Sequence, residues 1–373
     1  MNILFLSSWF PNKLEPTNGN FVWHHAEAVS LLNNVEVLHV IGDSNQKEEF
    51  MFDEKEVNNI RVLIIYYKNS NNPVKNFLKR IKAYKLGFAK MTRPDLVHAN
   101  ILHNNMLFAV YLKKKYKIPF VISEHWSGFQ KENQSGTSFK IKLIAKYIAH
   151  KAGYILPVSN QLKESLRLMG IKTPMKVVSN TVDTEVFTIN NKIKSSGTVH
   201  FLHVSGLTPL KNPDEIIKVI SRLHENGYDV QLEVGGDGDI QPLRKLVKEL
   251  EGESYIKLFG LLSHEEVAEK MQNSDYFILF SENETQGCVI LESYACGKPV
   301  ITSRVGGAAE LIREGFAIGV ERNNTVQLYN ELEKVCRGEY IFKNEDQIRQ
   351  LIIDHYSKES IAKQFMEIYQ KVI

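Results

Sequence analysis

Short apolar runs bounded by turn residues recur along the whole chain, with helix-period segments between many of them, and no other feature restricts the fold as tightly. A strand covered on both faces reads as a continuous apolar run, and parallel neighbours need a crossover, usually a helix. In the first half the runs are 3–6, 35–41, 60–66, 96–98, 120–122, 154–158 and 176–178. In the second they are 199–204, 230–234, 256–259, 276–280, 299–302 and 317–320. The pattern predicts an α/β chain with two Rossmann-like halves. Its 373 residues exceed one ordinary doubly wound domain and suit two, each able to bury a core. The stretch 183–197 has scattered polar residues without a clear period and reads as the linker between domains 1–185 and 190–356. In 357–373, Ile361, Phe365, Ile368 and Val372 recur at helical spacing, so this segment is a terminal helix in need of a surface to cover.

Composition removes several function classes. Hydrophobic residues are 43% and charged residues 24%, which fits a folded globular chain rather than a disordered or fibrous one. Cys288, Cys296 and Cys336 are few, odd in number and without metal-ligand spacing, which argues against a disulfide framework and a zinc site and for a reducing, cytoplasmic compartment. The start of the chain lacks the basic segment of a signal peptide, and no apolar stretch is long enough to span a membrane. A net charge of +3 does not imply nucleic-acid binding.

The segment with the most chemistry runs from Ser281 to Val300, directly after the apolar run 276–280. It reads as strand, polar loop, helix. Gly287 lets the backbone approach a ligand, and the amides of Cys288 and Val289 fall at a helix N-terminus, where orphan N–H groups and the dipole suit phosphate. Glu284 precedes this end and Glu292 follows on the helix, so a carboxylate is available on each side of the phosphates; carboxylates accept hydrogen bonds from sugar hydroxyls. Taken alone, both glutamates read equally well as solvated charges at a helix start.

They stand, however, in a longer pattern of Ser281, Glu284, Gly287, Glu292, Ala295, Gly297, Lys298, Pro299, Gly306, Gly307 and Glu310. That pattern resembles the Glu-x7-Glu region of the family-4 retaining glycosyltransferases, the "glycosyl transferases group 1" of GT-B fold. The resemblance covers essentially the whole chain, including Pro157-Val-Ser-Asn160, Val178-Ser-Asn180, Gly236-Asp-Gly238, Phe259-Gly260 and Tyr356-Ser357. It implies two Rossmann-like domains facing across a cleft, with the terminal helix crossing back to the N-terminal domain. The implied donor-site roles are Glu284 on the sugar, Glu292 on the ribose, and the Cys288 and Val289 amides on the diphosphate, with Gly287 and Leu262 in the same set. Lys211, in Gly206-Leu-Thr-Pro-Leu-Lys211, corresponds to a lysine on the donor diphosphate; Gly206 stands where the family carries an arginine.

In the first half, Gly19 closes the polar loop after the first strand and resembles the family's glycine loop near the donor phosphate. His24 and His25, at the following helix start, read as helix surface. His125, in Ser123-Glu124-His125 at the end of a strand, resembles a histidine that contacts the donor sugar. His98 and His103 read as structural or acceptor-side residues. Gly235-Gly-Asp-Gly238 lacks dinucleotide-fingerprint spacing, which disfavours NAD.

Phe77, Ile81, Tyr84 and Phe88 share one face of a segment whose lysines, Lys75, Lys79, Lys82 and Lys90, mostly face elsewhere, and a second basic stretch carries Lys140, Lys142, Lys146 and Lys151. The basic helix 75–93 is read as a peripheral membrane contact on the inner face, against the equal alternative of solvated lysines on a core helix. The expected reaction is retaining transfer of a hexose-type sugar from a UDP- or GDP-sugar to a saccharide or lipid-linked acceptor, for surface polysaccharide or glycolipid. Neither cofactor, metal nor enzymic nucleophile is expected. The alternatives are a non-catalytic sugar-nucleotide-binding protein and a GT-B-type epimerase.

Overall fold

The computed structural model describes residues 1–190 and 197–373. The chain forms two compact units, Met1–Thr181 with Lys358–Ile373, and Val182–Ser357. The first boundary precedes the sequence-read one because Val182 already bonds into the second unit: its N–H donates to the Tyr356 carbonyl at 2.9 Å. Of the sequence-read linker 183–197, residues 191–196 lie outside the described residues. The part before them is held down, with Phe187 buried and the carbonyls of Thr184 and Phe187 accepting from the Arg349 guanidinium at 2.7 and 2.5 Å.

The first unit holds strands β1 (Asn2–Ser7), β2 (Asn34–Asp43), β3 (Phe50–Val57), β4 (Ile60–Lys68), β5 (Leu96–Asn100), β6 (Phe120–Glu124) and β7 (Ile155–Pro157). Its helices are α1 (Asn20–Ser30), α2 (Pro73–Phe88), α3 (Leu107–Tyr116), α4 (Phe139–Ala149) and α5 (Asn160–Leu168). The sheet order is β3-β4-β2-β1-β5-β6-β7, parallel except for β3. Along β1, Leu4 and Leu6 join the core under α2 to α5, while Ile3 and Phe5 join the core under α1. Two covered faces explain the unbroken apolar runs.

Two strand readings differ from the structure. β3, absent from the sequence reading, is an edge strand whose Asp53, Glu54, Lys55 and Glu56 hide any apolar signal, and charge is how exposed edges resist further pairing. Asn58 and Asn59, at φ 51° and 60°, join it to β4 in a two-residue hairpin, a conformation that asparagine tolerates better than most residues. The run 176–178 is not a strand. Its Lys176 and Val178 amides bond to β7 at 3.2 and 3.1 Å, but β7 is only three residues long and offers too short an edge for a ladder.

The second unit holds β8 (Val199–Ser205), β9 (Val230–Gly236), β10 (Ile256–Phe259), β11 (Tyr276–Leu279), β12 (Val300–Ser303) and β13 (Ala317–Val320), one for each apolar run of the second half. The helices are α6 (Pro213–Glu225), α7 (Gln241–Glu249), α8 (His264–Asn273), α9 (Cys288–Ala295), α10 (Thr325–Cys336) and α11 (Glu345–His355). All neighbours are parallel in the order β10-β9-β8-β11-β12-β13. Apart from β3, both sheets thus repeat one doubly wound order, which reverses beside β1 in the first unit and beside β8 in the second. At such a reversal consecutive loops diverge and leave a crevice at the carboxyl ends of the strands.

The last helix, α12 (Lys358–Val372), belongs to the first unit, where Ile361, Phe365, Ile368 and Tyr369 are buried in the α1-side core. Each such side chain contributes roughly 1.5–3 kcal/mol by burial. No helix among the described residues is long and apolar enough to cross a membrane.

Candidate functional site

In the second unit the loops after β8 and β11 flank the order reversal, and they are tied together. The Glu282 amide donates to the Leu210 carbonyl at 2.8 Å, and Asn212 Nδ2 donates to the Phe280 carbonyl at 3.1 Å. Between these ties Lys211 Nζ reaches Glu284 Oε1 at 2.5 Å, and Ser281 Oγ donates to the same oxygen at 2.7 Å. Glu284 is only 8% exposed, so its carboxylate needs such donors in place of water. Its backbone carbonyl accepts from the Gly307 amide at 3.0 Å, so the Gly306-Gly307 part of the motif holds the loop that carries Glu284.

Gly287 caps α9 at φ 86°, a left-handed conformation that a side chain would strain. The first-turn amides of α9, those of Cys288 and Val289 among them, have no carbonyl partners within the helix. Glu292 is half-buried one turn further along α9, whose Leu291, Tyr294 and Ala295 are buried. Burial pushes the Cys288 thiol up to about 12; Glu292 and Glu284 add to the rise and Lys211 opposes it, so the three charges surround the start of α9. At neutral pH this cysteine is a thiol, not a nucleophilic thiolate.

His203, buried on β8, was not singled out from the sequence. Its Nδ1 bonds the Ile278 carbonyl at 2.8 Å and its Nε2 bonds Ser205 Oγ at 2.8 Å, while Ser205 Oγ accepts from the Leu207 amide at 3.1 Å. Burial lowers its pKa to about 4, so it is a neutral strut for the turn that leads to Lys211. The only sequence signal was a polar residue at an interior position of an apolar strand. Gly236 and Gly238 also serve this turn: an added Cβ would lie 2.0 Å from the Ser205 carbonyl oxygen and 2.8 Å from that of Gly206. Lys298 turns inward and pairs with Glu345 at 2.8 Å. Leu262 packs on the same core as Val289 and also lines a hollow with Glu266, Lys270 and Asn273.

In the first unit the close approach at Gly19 is to the protein's own backbone, since an added Cβ would lie 2.5 Å from the Trp9 carbonyl at φ 80°. His24 pairs with Glu27 at 3.1 Å, but His25 is not helix surface. It is buried, bonds the Ser179 carbonyl at 3.0 Å, and is lowered to about 4 by that burial. The cause is α12, whose Phe365 ring lies edge-on at 5.0 Å and covers this side of α1. His98 is likewise internal, bonding the Tyr369 hydroxyl at 2.6 Å and Ser123 Oγ at 2.7 Å.

His125 directly follows β6 and stacks on Phe21 at 4.2 Å. Burial, with His25 and His98 nearby, holds it well below the usual histidine range, so its ring is neutral. Both ring nitrogens are buried, and the Asn180 side chain beside the ring opposes the lowering. The turn is fixed by Glu124, which accepts from the amides of Leu102, His125 and Trp126 at 2.7, 2.8 and 2.7 Å. Burial raises this carboxyl to about 7 against the pull of the three N–H groups.

Two doubly wound sheets with a pinned lysine–glutamate pair at one reversal define a class, and solved structures share it. The fold superposes on sucrose-phosphate synthase from Thermosynechococcus elongatus with TM-score 0.80 at 18% identity, over 100% of this chain and 99% of that one. It superposes on Anabaena HepE in complex with UDP with TM-score 0.77 at 18% identity, over 100% of both chains. This is the GT-B fold. Residues 22–186 match the family described as Glycosyltransferase Family 4, and residues 187–353 match Glycosyl transferases group 1. The chain therefore belongs to the group 1 glycosyltransferases and is a transferase of glycosyl groups. An uncharacterized glycosyltransferase of Methanocaldococcus jannaschii is 25% identical over 99% of both chains. The N-acetyl-alpha-D-glucosaminyl L-malate synthase of Bacillus anthracis is 24% identical over 64% of this chain and 65% of that protein.

Proposed function

We propose that the chain transfers a hexose-type sugar, with retention, from a UDP- or GDP-sugar to a saccharide or lipid-linked acceptor in surface polysaccharide or glycolipid synthesis. The observation that carries this reading is the Lys211–Glu284 pair, set at a sheet reversal beside a glycine-capped helix start. Glu284 accepts from sugar hydroxyls and Glu292 from the ribose, while Lys211 and the Cys288 and Val289 amides receive the diphosphate. Leu262, packed on the same core as Val289, is a further donor contact in this reading, and in the first unit His125 offers its neutral ring to a hydroxyl. Relatives support a nucleotide-sugar donor: HepE structures hold UDP, and UDP-glucose.

Transfer with retention needs no enzymic nucleophile if the departing diphosphate receives the acceptor's proton on the same face. The protein then positions the reactants and stabilises the developing charge. Lysine and helix amides supply that stabilisation without a metal, and turnover persists in EDTA. The reading places the enzyme in the cytoplasm, at the inner membrane face when its acceptor is a lipid. The missing arginine at Gly206 favours one competitor, a non-catalytic sugar-nucleotide binder. Nucleotide release from UDP- and GDP-sugars with and without saccharide acceptors separates them: acceptor-dependent release that Glu284→Gln abolishes supports transfer, and donor binding without turnover in the parent protein refutes it.

A further inference from the structure

The helices on one face of the first sheet have a charge distribution unlike the rest of the chain. The segments 73–93, 107–117 and 139–151, which are α2, α3 and α4 with their short flanks, carry seven, four and four lysines or arginines. That is fifteen of the chain's 46 cations and none of its 43 acids, so the remainder is net acidic although the whole is +3. The three helices lie side by side on the same core. Lys85 of α2 rests over Tyr111 of α3 at 5.1 Å, and Lys114 of α3 donates to the Tyr147 hydroxyl of α4 at 3.0 Å.

The same layer exposes large apolar side chains that a core-only role would have turned inward. On α4, Ala145, Ile148 and Ala149 face the core, whereas Phe139, Leu143 and Tyr147 form an outward stripe at 73%, 48% and 42% exposure. On α2, Val74 and Leu78 stand out likewise beside Lys75 and Lys79. Apolar residues spaced by one helical turn between lysines are the surface that lies in the headgroup region of an anionic bilayer: the rings and leucines enter the acyl boundary and the lysines meet phosphates.

We propose that the α2–α3–α4 face is a membrane-docking surface for anionic lipid, with the Phe139–Leu143–Tyr147 stripe as its inserting element. The inward-facing residues read from the sequence for helix 75–93 are not the ones that would insert; the outward Val74 and Leu78 and the α4 stripe are. The stripe favours lipid over nucleic acid, which the lysines alone would serve equally well. The proposal deepens the reading of a lipid-linked acceptor, and its test uses neither donor nor acceptor, so its failure leaves glycosyl transfer untouched.

The test is co-sedimentation of the full chain with phosphatidylcholine vesicles, with and without phosphatidylglycerol. Binding is expected only with the anionic lipid, falling with salt. Lys140→Gln and Lys142→Gln are each expected to lower the partition coefficient about fivefold. Phe139→Ser with Leu143→Ser is expected to abolish binding while leaving a folded protein with a cooperative thermal transition, because Phe139 is mostly exposed and Leu143 about half exposed. The proposal is overturned if the parent does not bind, if the serine variant binds as well as the parent, or if single-stranded DNA displaces the protein from vesicles at equal charge.

Discussion

Replacing Lys211 by alanine tests the site at the contact that unites its two loops. The cation is about a quarter exposed and its partner only 10% exposed at the side chain, so the variant leaves a nearly buried carboxylate with Ser281 Oγ as a remaining donor. Removing one member of a fully buried pair costs about 3–5 kcal/mol, and an exposed pair about 0–1. The intermediate exposure here puts the loss at roughly 2 kcal/mol, a Tm decrease of roughly 4–8 °C for a unit of this size. If Lys211 also stabilises a departing diphosphate, kcat falls by about 10²–10³. Differential scanning fluorimetry and an acceptor-dependent nucleotide-release assay read the two effects. Lys211→Arg should recover most of both. Lys218→Ala, exposed on α6 beside Asp214 and Glu215, should shift stability by less than about 0.5 kcal/mol. Parent-like stability and turnover in Lys211→Ala would refute the reasoning.

Gly206→Arg should be tolerated, because its Cβ would meet only the Asp237 carbonyl oxygen, at 3.8 Å; a donor kcat/KM raised about tenfold would show that a diphosphate cation was missing, and an unchanged value would contradict it. Gly19→Ala should destabilise the first unit by about 2 kcal/mol or more, read in urea, since it combines a left-handed φ with a 2.5 Å backbone clash. Glu124→Gln should cost about 1–3 kcal/mol, because its amide would face a backbone N–H that the carboxylate now accepts; a neutral result would mean that the three N–H bonds do not hold the turn. His203 titrates near 4 in the fold against 6.5 unfolded, so its contribution is complete above about pH 6.5 and is lost as pH falls toward 4, at up to about 1.4 kcal/mol per unit. Tm measured from pH 7 to 4.5 should fall less steeply in His203→Gln than in the parent; identical slopes would contradict this.

Legibility followed covering. Strands β8 to β13 were readable because helices cover both faces of each sheet, whereas β3 was hidden by charges that suit an edge. The glutamates of the α9 region were legible because a glycine-capped helix start with flanking carboxylates is a local arrangement along the chain. His203, Glu124 and Arg349 were not, since their partners lie on other segments: Ile278 for His203, Leu102 for Glu124, and Thr184 and Ala295 for Arg349. His25 was misread for the same reason, because its cover arrives from Phe365, far along the chain.

By itself the sequence determined the two doubly wound halves, the terminal helix and the chemistry available around Glu284, because periodicity, glycine and helix starts act between near neighbours in the chain. Only the tertiary structure decided that Lys211 meets Glu284 across 73 residues, that His25 and His98 are internal, and that the apolar stripe of α4 faces outward. Those outcomes depend on which strands pair and which helix covers which face, and a side chain's burial and charge state follow from that covering rather than from its neighbours in sequence.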